Sequence, residues 1–304
     1  ETGTALWLQP LKGGPARKLN LGSISPNWGF WVEVAVSRTG ALAFIGTDPG
    51  HPAELYYMAS ATAVPKVLTD FHKEVRALQL GKAQTLTWQS DGMTNDGELT
   101  YPANYTSGKT YPLVLVIHGG PTAASTATFS AQAQLFAGRG YFVFEPNYRG
   151  SDNLGNAYKT AISQDAGAGP GRDVMAGLAQ LKRGGMVDTN RIGVSGWSYG
   201  GYMTVWLLGH YPAQWQAAVA GAAVTDWLDQ YNLGDSNVQR ATAIGPSPWL
   251  SEANYQNYRE QSPITLAGRI RTPTLILANT ADPRVPITQS YKLFHALKDH
   301  GVVT

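Results

Sequence analysis

The sequence contains no cysteine. That excludes disulfides, thiolate metal sites and a cysteine nucleophile. Charge is scarce as well: 14% of the 304 residues are Asp, Glu, Lys or Arg, against about a quarter in an average domain. The formal net charge is +2 and no lysine or arginine cluster stands out, which argues against a nucleic-acid partner. No apolar run has the length of a membrane span. The six histidines show no zinc-ligand spacing, so no metal is called for. Gly-Lys-Thr at 108–110 imitates the end of a phosphate loop, but Ala103 stands where that loop needs glycine. The lone sequon, Asn-Tyr-Thr at 104–106, is of a kind that arises by chance.

What is present is apolar bulk. Hydrophobic residues make up 43% and aromatics 11%, including nine tryptophans. A chain of this length holds one large domain, or one domain and a piece of another. It begins at Glu1 rather than Met, and 301–304 read as the start of a strand. It therefore reads as a fragment at both ends, so the missing targeting segment says nothing of compartment. Low charge and abundant tryptophan lean toward a periplasmic or secreted bacterial protein, and a homo-oligomer is left open.

Two textures divide the chain. Residues 1–80 read as short strands at 5–10, 17–21, 31–36, 41–45, 54–58 and 65–68, the last two paired, with turn residues between. This spacing suggests a meander such as propeller blades, about two of them. Residues 81–304 begin with an antiparallel pair at 85–88 and 97–101 and then alternate strand and helix. The run 111–117 is apolar throughout, as befits a strand buried on both faces. Further strands are expected at 141–144, 191–195, 217–221 and 274–278. Val174, Leu178 and Leu181 mark one helical face; Ile287, Tyr291, Phe294 and Leu297 mark another. The pattern is α/β: a mostly parallel, doubly wound sheet with helices on both faces and ligands at the strand C-termini.

Gly-Trp-Ser-Tyr-Gly at 196–200 lies between the apolar run 191–195 and a helix-like stretch 202–208. This is the pattern of a nucleophile elbow, in which a tight strand-to-helix turn forces Ser198 outward. A serine hydroxyl needs a base, a group that orients the base, and donors for the oxyanion. Asp282, just past the run 274–278, is the candidate acid, although aspartate before proline is also common in turns. The loop at 118–121, His-Gly-Gly-Pro, can supply the Gly119 amide, and the second donor would be the Tyr199 amide. His118 precedes the serine and reads as loop packing. Downstream of Asp282 only His295 and His300 remain, both on or at the end of the last helix. Neither is assigned as base. The histidine is expected roughly ten residues beyond Thr304, and the chain as given is expected to be inactive without it.

These pieces together resemble the prolyl oligopeptidase family of serine peptidases, particularly its acylaminoacyl-peptidase and dipeptidyl-peptidase-like branches. The matching residues are 118–121, 147–151, 171–174, 188–193, 196–203 and 282–286, and the likeness covers nearly the whole chain. The resemblance implies an α/β-hydrolase domain over 81–304, lacking its C-terminal end, preceded by the last blades of a β-propeller over 1–80. It implies Ser198 as nucleophile, Asp282 as acid, short peptides as substrate and no cofactor. It implies an apolar pocket lined by Tyr199, Val224, Trp227 and Tyr202, although Val224 and Trp227 also suit ordinary core packing. Arg284 would contact substrate carbonyls or form a salt bridge at the domain edge. His118 stands where dipeptidyl peptidases carry an oxyanion-binding tyrosine, which leans toward the acylaminoacyl style. A carboxylesterase on the same fold and, should the natural chain end at Thr304, a non-catalytic hydrolase-like binding module are the competing readings.

Overall fold

In the computed structural model, residues 2–27, 32–236 and 243–304 are described. The N-terminal part forms two antiparallel sheets. A ribbon pairs β1 (Trp7–Leu8) with β2 (Arg17–Lys18). A four-stranded meander follows in the order β3 (Val34–Val36), β4 (Leu42–Asp48), β5 (His51–Met58), β6 (Lys66–Val67). Trp31, expected to open β3, lies outside the described residues. The anticipated pairing of β5 with β6 is present, with Tyr56 opposite Val67. Among the described residues there is one such meander. Its own small core gathers Leu19, Leu21, Leu42, Phe44 and Met58.

The second part is a mixed seven-stranded sheet. Its strands are β7 (Ala83–Ser90), β8 (Met93–Thr100), β9 (Tyr111–Ile117), β10 (Phe142–Pro146), β11 (Val187–Trp197), β12 (Ala217–Gly221) and β13 (Thr274–Leu277). Their order in space is β7-β8-β10-β9-β11-β12-β13. β8 is antiparallel to β7 and to β10, and the remaining pairings are parallel. β9 stands between β10 and β11, so the chain turns toward opposite edges of the sheet on either side of it. Such a reversal opens a crevice at the strand C-termini. β9 can sit there because Leu113, Val114, Leu115 and Ile117 are all buried. Each fully buried side chain of this kind contributes roughly 1.5–3 kcal/mol.

Seven helices are described: α1 (Ala131–Ala137), α2 (Asn156–Thr160), α3 (Ala168–Arg183), α4 (Tyr199–His210), α5 (Trp227–Leu233), α6 (Glu252–Glu260) and α7 (Thr288–Asp299). α3 presents the expected stripe, with Val174, Leu178 and Leu181 buried. α4 is apolar on all sides and buried from Tyr199 to Gly209, a central helix rather than a surface one. Past α7 the chain returns to the sheet. The Thr274 amide donates to the Val303 carbonyl at 2.9 Å, and the Thr304 hydroxyl donates to the Thr274 carbonyl at 2.8 Å. No described helix is long and apolar enough to cross a membrane.

Candidate active site

Ser198 is the hinge between β11 and α4. Its φ is +59°, a conformation costly for a residue with a side chain and typical of constrained functional turns. The turn is tight enough to need glycine on both sides. A Cβ at Gly196 would come within 2.2 Å of the Gly200 carbonyl oxygen, and one at Gly200 within 2.0 Å of the Ile117 carbonyl oxygen. The elbow is thus pressed against the end of β9. Serine at a helix N-cap ordinarily accepts a hydrogen bond from the first turn. Here the Ser198 side chain makes no such bond. Ser198 instead lines a cavity of about 470 Å³.

The first turn of α4 keeps its amides open, because a helix N-terminus has no internal acceptors for them. The Tyr199 amide is the first in line. The loop after β9 brings Gly119 to the same spot: a Cβ there would lie 3.5 Å from the Ser198 Cβ. Neither amide donates to a loop or side-chain acceptor among the described residues. Two open donors beside a serine hydroxyl suit a developing oxyanion.

His118 is bound into the loop rather than facing the serine. Its Nε2 lies 2.9 Å from the Ser151 hydroxyl and its Nδ1 2.8 Å from the Gly119 carbonyl. Its ring stacks on Tyr148 at 4.3 Å, and the Tyr148 hydroxyl donates to the His118 carbonyl at 2.8 Å. Desolvation pulls its pKa down to about 4, so the imidazole is neutral near pH 7.

Four of the residues expected around the serine do line the cavity: Tyr199, Val224, Trp227 and Arg284. Val224 and Trp227 are themselves buried at its wall. Tyr202 is not among the lining residues. It is fully buried behind Trp227, with ring centres 5.2 Å apart, because α4 turns it into the core. The Tyr199 hydroxyl is spent elsewhere, donating to the Ala166 carbonyl.

Asp282 lies in the loop after β13, two strands across the sheet from the elbow. Its Oδ1 accepts from the amides of Arg284 at 2.8 Å and Val285 at 3.0 Å. Its Oδ2 takes no hydrogen bond among the described residues. The Arg284 Nε donates to Asp235 at 2.6 Å, an exposed ion pair. None of the six histidines lines the cavity. His295 and His300 belong to the exposed side and end of α7.

Other contributors were not assigned roles from the sequence. Arg149 donates from Nε and one terminal nitrogen to the two carboxylate oxygens of Asp173, at 2.8 and 2.7 Å, and its amide donates to the same group. Asp173 is wholly buried. Asn147 bonds Ser125 through both amide and carbonyl, tying down the chain after Pro121. The segment 147–151 thus braces the loop that follows β9. The only signal for it was that 147–151 and 171–174 both matched the family pattern.

Comparison with known proteins follows the same lines. The model of the prolyl oligopeptidase family matches residues 127–303. The uncharacterized peptidase YuxL of Bacillus subtilis (strain 168) is 32% identical over 266 residues, covering 85% of this chain and 39% of that protein. Dipeptidyl-peptidase 5 of Porphyromonas endodontalis is 30% identical over 266 residues, covering 83% of this chain and 37% of that protein. A solved acylaminoacyl peptidase in complex with Z-Gly-Gly-Phe-chloromethyl ketone superposes with a TM-score of 0.88 at 27% identity, covering 100% of this chain and 47% of that one. The chain spans less than half the length of each of these proteins.

Proposed function

The chain belongs to the prolyl oligopeptidase family, and on that premise we propose that it carries the hydrolase part of a serine peptidase acting on short peptides through an acyl-enzyme. Ser198 attacks the carbonyl carbon, and its proton passes to a histidine base. The oxyanion that forms is held by the Gly119 and Tyr199 amides. The tetrahedral intermediate collapses as the base protonates the leaving amine, and water then repeats the sequence on the ester. Asp282 orients the base: its free Oδ2 is the acceptor a histidine Nδ1–H requires. The base itself is not among the residues around the cavity. Val224 and Trp227 form an apolar wall for the side chain before the scissile bond. The meander of residues 34–67 is read as one blade of a propeller, with a domain boundary near residue 80.

The observation that carries this reading is the unspent hydroxyl of Ser198 at a positive-φ turn beside two open amides. The test uses the natural gene product. A fluorophosphonate probe should label Ser198, and Ser198→Ala should abolish both labelling and peptide cleavage. Cleavage at the wild-type rate by the alanine variant would refute it. Parallel panels of acylated and free-amine peptides, and of esters, separate the acylaminoacyl, dipeptidyl and esterase forms.

A further inference from the structure

The charge around the cavity is unbalanced. Two cationic residues line it, Lys159 and Arg284, and no carboxylate does so among the described residues. Arg284 is already paired with Asp235. Lys159, half-buried in the last turn of α2, has no ion pair and no side-chain hydrogen bond among the described residues. Lys159 is thus a cation without a counter-charge on the cavity wall. A concave site with one uncompensated charge also concentrates ligands of opposite sign.

Resting on the peptidase reading above, we propose that Lys159 is a specificity-determining residue that selects peptides carrying a carboxylate beside the scissile bond. Ser198, Lys159, Thr160, Gly120, Pro121 and Thr122 share the wall of this one cavity. A carboxylate can enter from two sources. One is an acidic side chain on the residue whose carbonyl Ser198 attacks. The other is the terminal carboxylate of a short leaving segment. In both cases the ammonium donates a charge-assisted hydrogen bond to the anion. A free α-amine in the same place meets like charge.

The test uses the gene product and four acetylated dipeptides. The first residue is Glu or Gln, and the C-terminus is an acid or an amide. Wild type should favour a carboxylate-bearing substrate, and the arm that shows the preference identifies its source. Lys159→Gln should lower kcat/KM on that substrate by about ten-fold, mainly through KM, as expected for loss of one partly exposed charged hydrogen bond. The neutral Gln amide should change by less than about two-fold, within the range of a lost weak contact. Lys159→Arg should restore most of the preference, and added salt should erode it in wild type. The proposal is overturned if wild type shows no preference for either carboxylate, or if Lys159→Gln slows all four substrates alike. Fluorophosphonate labelling keeps the two readings apart. Labelled protein without a carboxylate preference removes only the role of Lys159, whereas unlabelled wild type removes the peptidase reading with it.

Discussion

On the nucleophile side, Ser198 is clamped between the ends of β9 and β11, with glycine backbones packed so closely that no Cβ fits at 196 or 200. On the acid side, Asp282 sits in a loop past β13, held through one oxygen by two amides and flanked by the exposed Arg284–Asp235 pair. The first half is set in position by backbone packing before any substrate arrives. On the function proposed above, it would stabilise charge without reorganising. On the same proposal, the second half would contribute through orientation alone, its geometry completed by the base it receives. Rigidity is invested where charge develops; adaptability is left where a partner must dock.

Three substitutions probe that contrast. Asp282→Asn should lower kcat of the gene product by about 10⁴-fold, the effect of presenting the wrong group to a catalytic histidine. Its melting temperature should stay near that of wild type. A large thermal loss would mean that the acid loop is as structural as the elbow.

The bracket behind the oxyanion loop should respond the other way. Asp173→Asn removes the buried one of the two carboxylates that the Arg149 guanidinium bonds and leaves only the partly exposed Asp91. About 1.5–3 kcal/mol of stability should go, the weight of charged hydrogen bonds lost while Asp91 still compensates the guanidinium, read by urea unfolding. An unchanged midpoint would show that the nucleophile side does not depend on this pair.

The smallest effect is read in pH. His118 has a folded pKa near 4, below its ordinary 6.5, through desolvation. The folded protein keeps the ring neutral, while the unfolded chain takes up a proton below about 6.5. The stability this contributes is complete above pH 6.5 and is lost as the pH falls toward 4. Between pH 7 and 5, wild type should lose about 1–2 kcal/mol that His118→Gln does not lose. Equal losses in both proteins would place the acid sensitivity elsewhere.

The elbow was legible because its chemistry is local. Two glycines two residues either side of a serine, after an apolar run, state a steric requirement in five positions. β9 was legible for a similar reason, since only a strand covered on both faces tolerates seven apolar residues in a row. The order β10-β9-β11 was not, because periodicity reports which face is buried and not which strand is the neighbour. α1 was not legible from the sequence. Its short length gives little periodic signal, and its start rests on one Ser130 cap to the Ala133 amide. Tyr202 was placed on the cavity from its position in the motif. The rotation of α4 carries it one layer deeper, behind Trp227, which a motif cannot reveal. Arg149 and Asp173 lie 24 residues apart on different elements, so their union exists only in three dimensions.

The open first turn of α4 carries one more consequence. An unfilled helix terminus is a small debt in the resting protein, settled by whichever negatively charged oxygen comes to rest there. Tetrahedral inhibitors that place such an oxygen over Tyr199 therefore double as folding ligands. Their potency and the thermal protection they confer are linked through the same equilibrium.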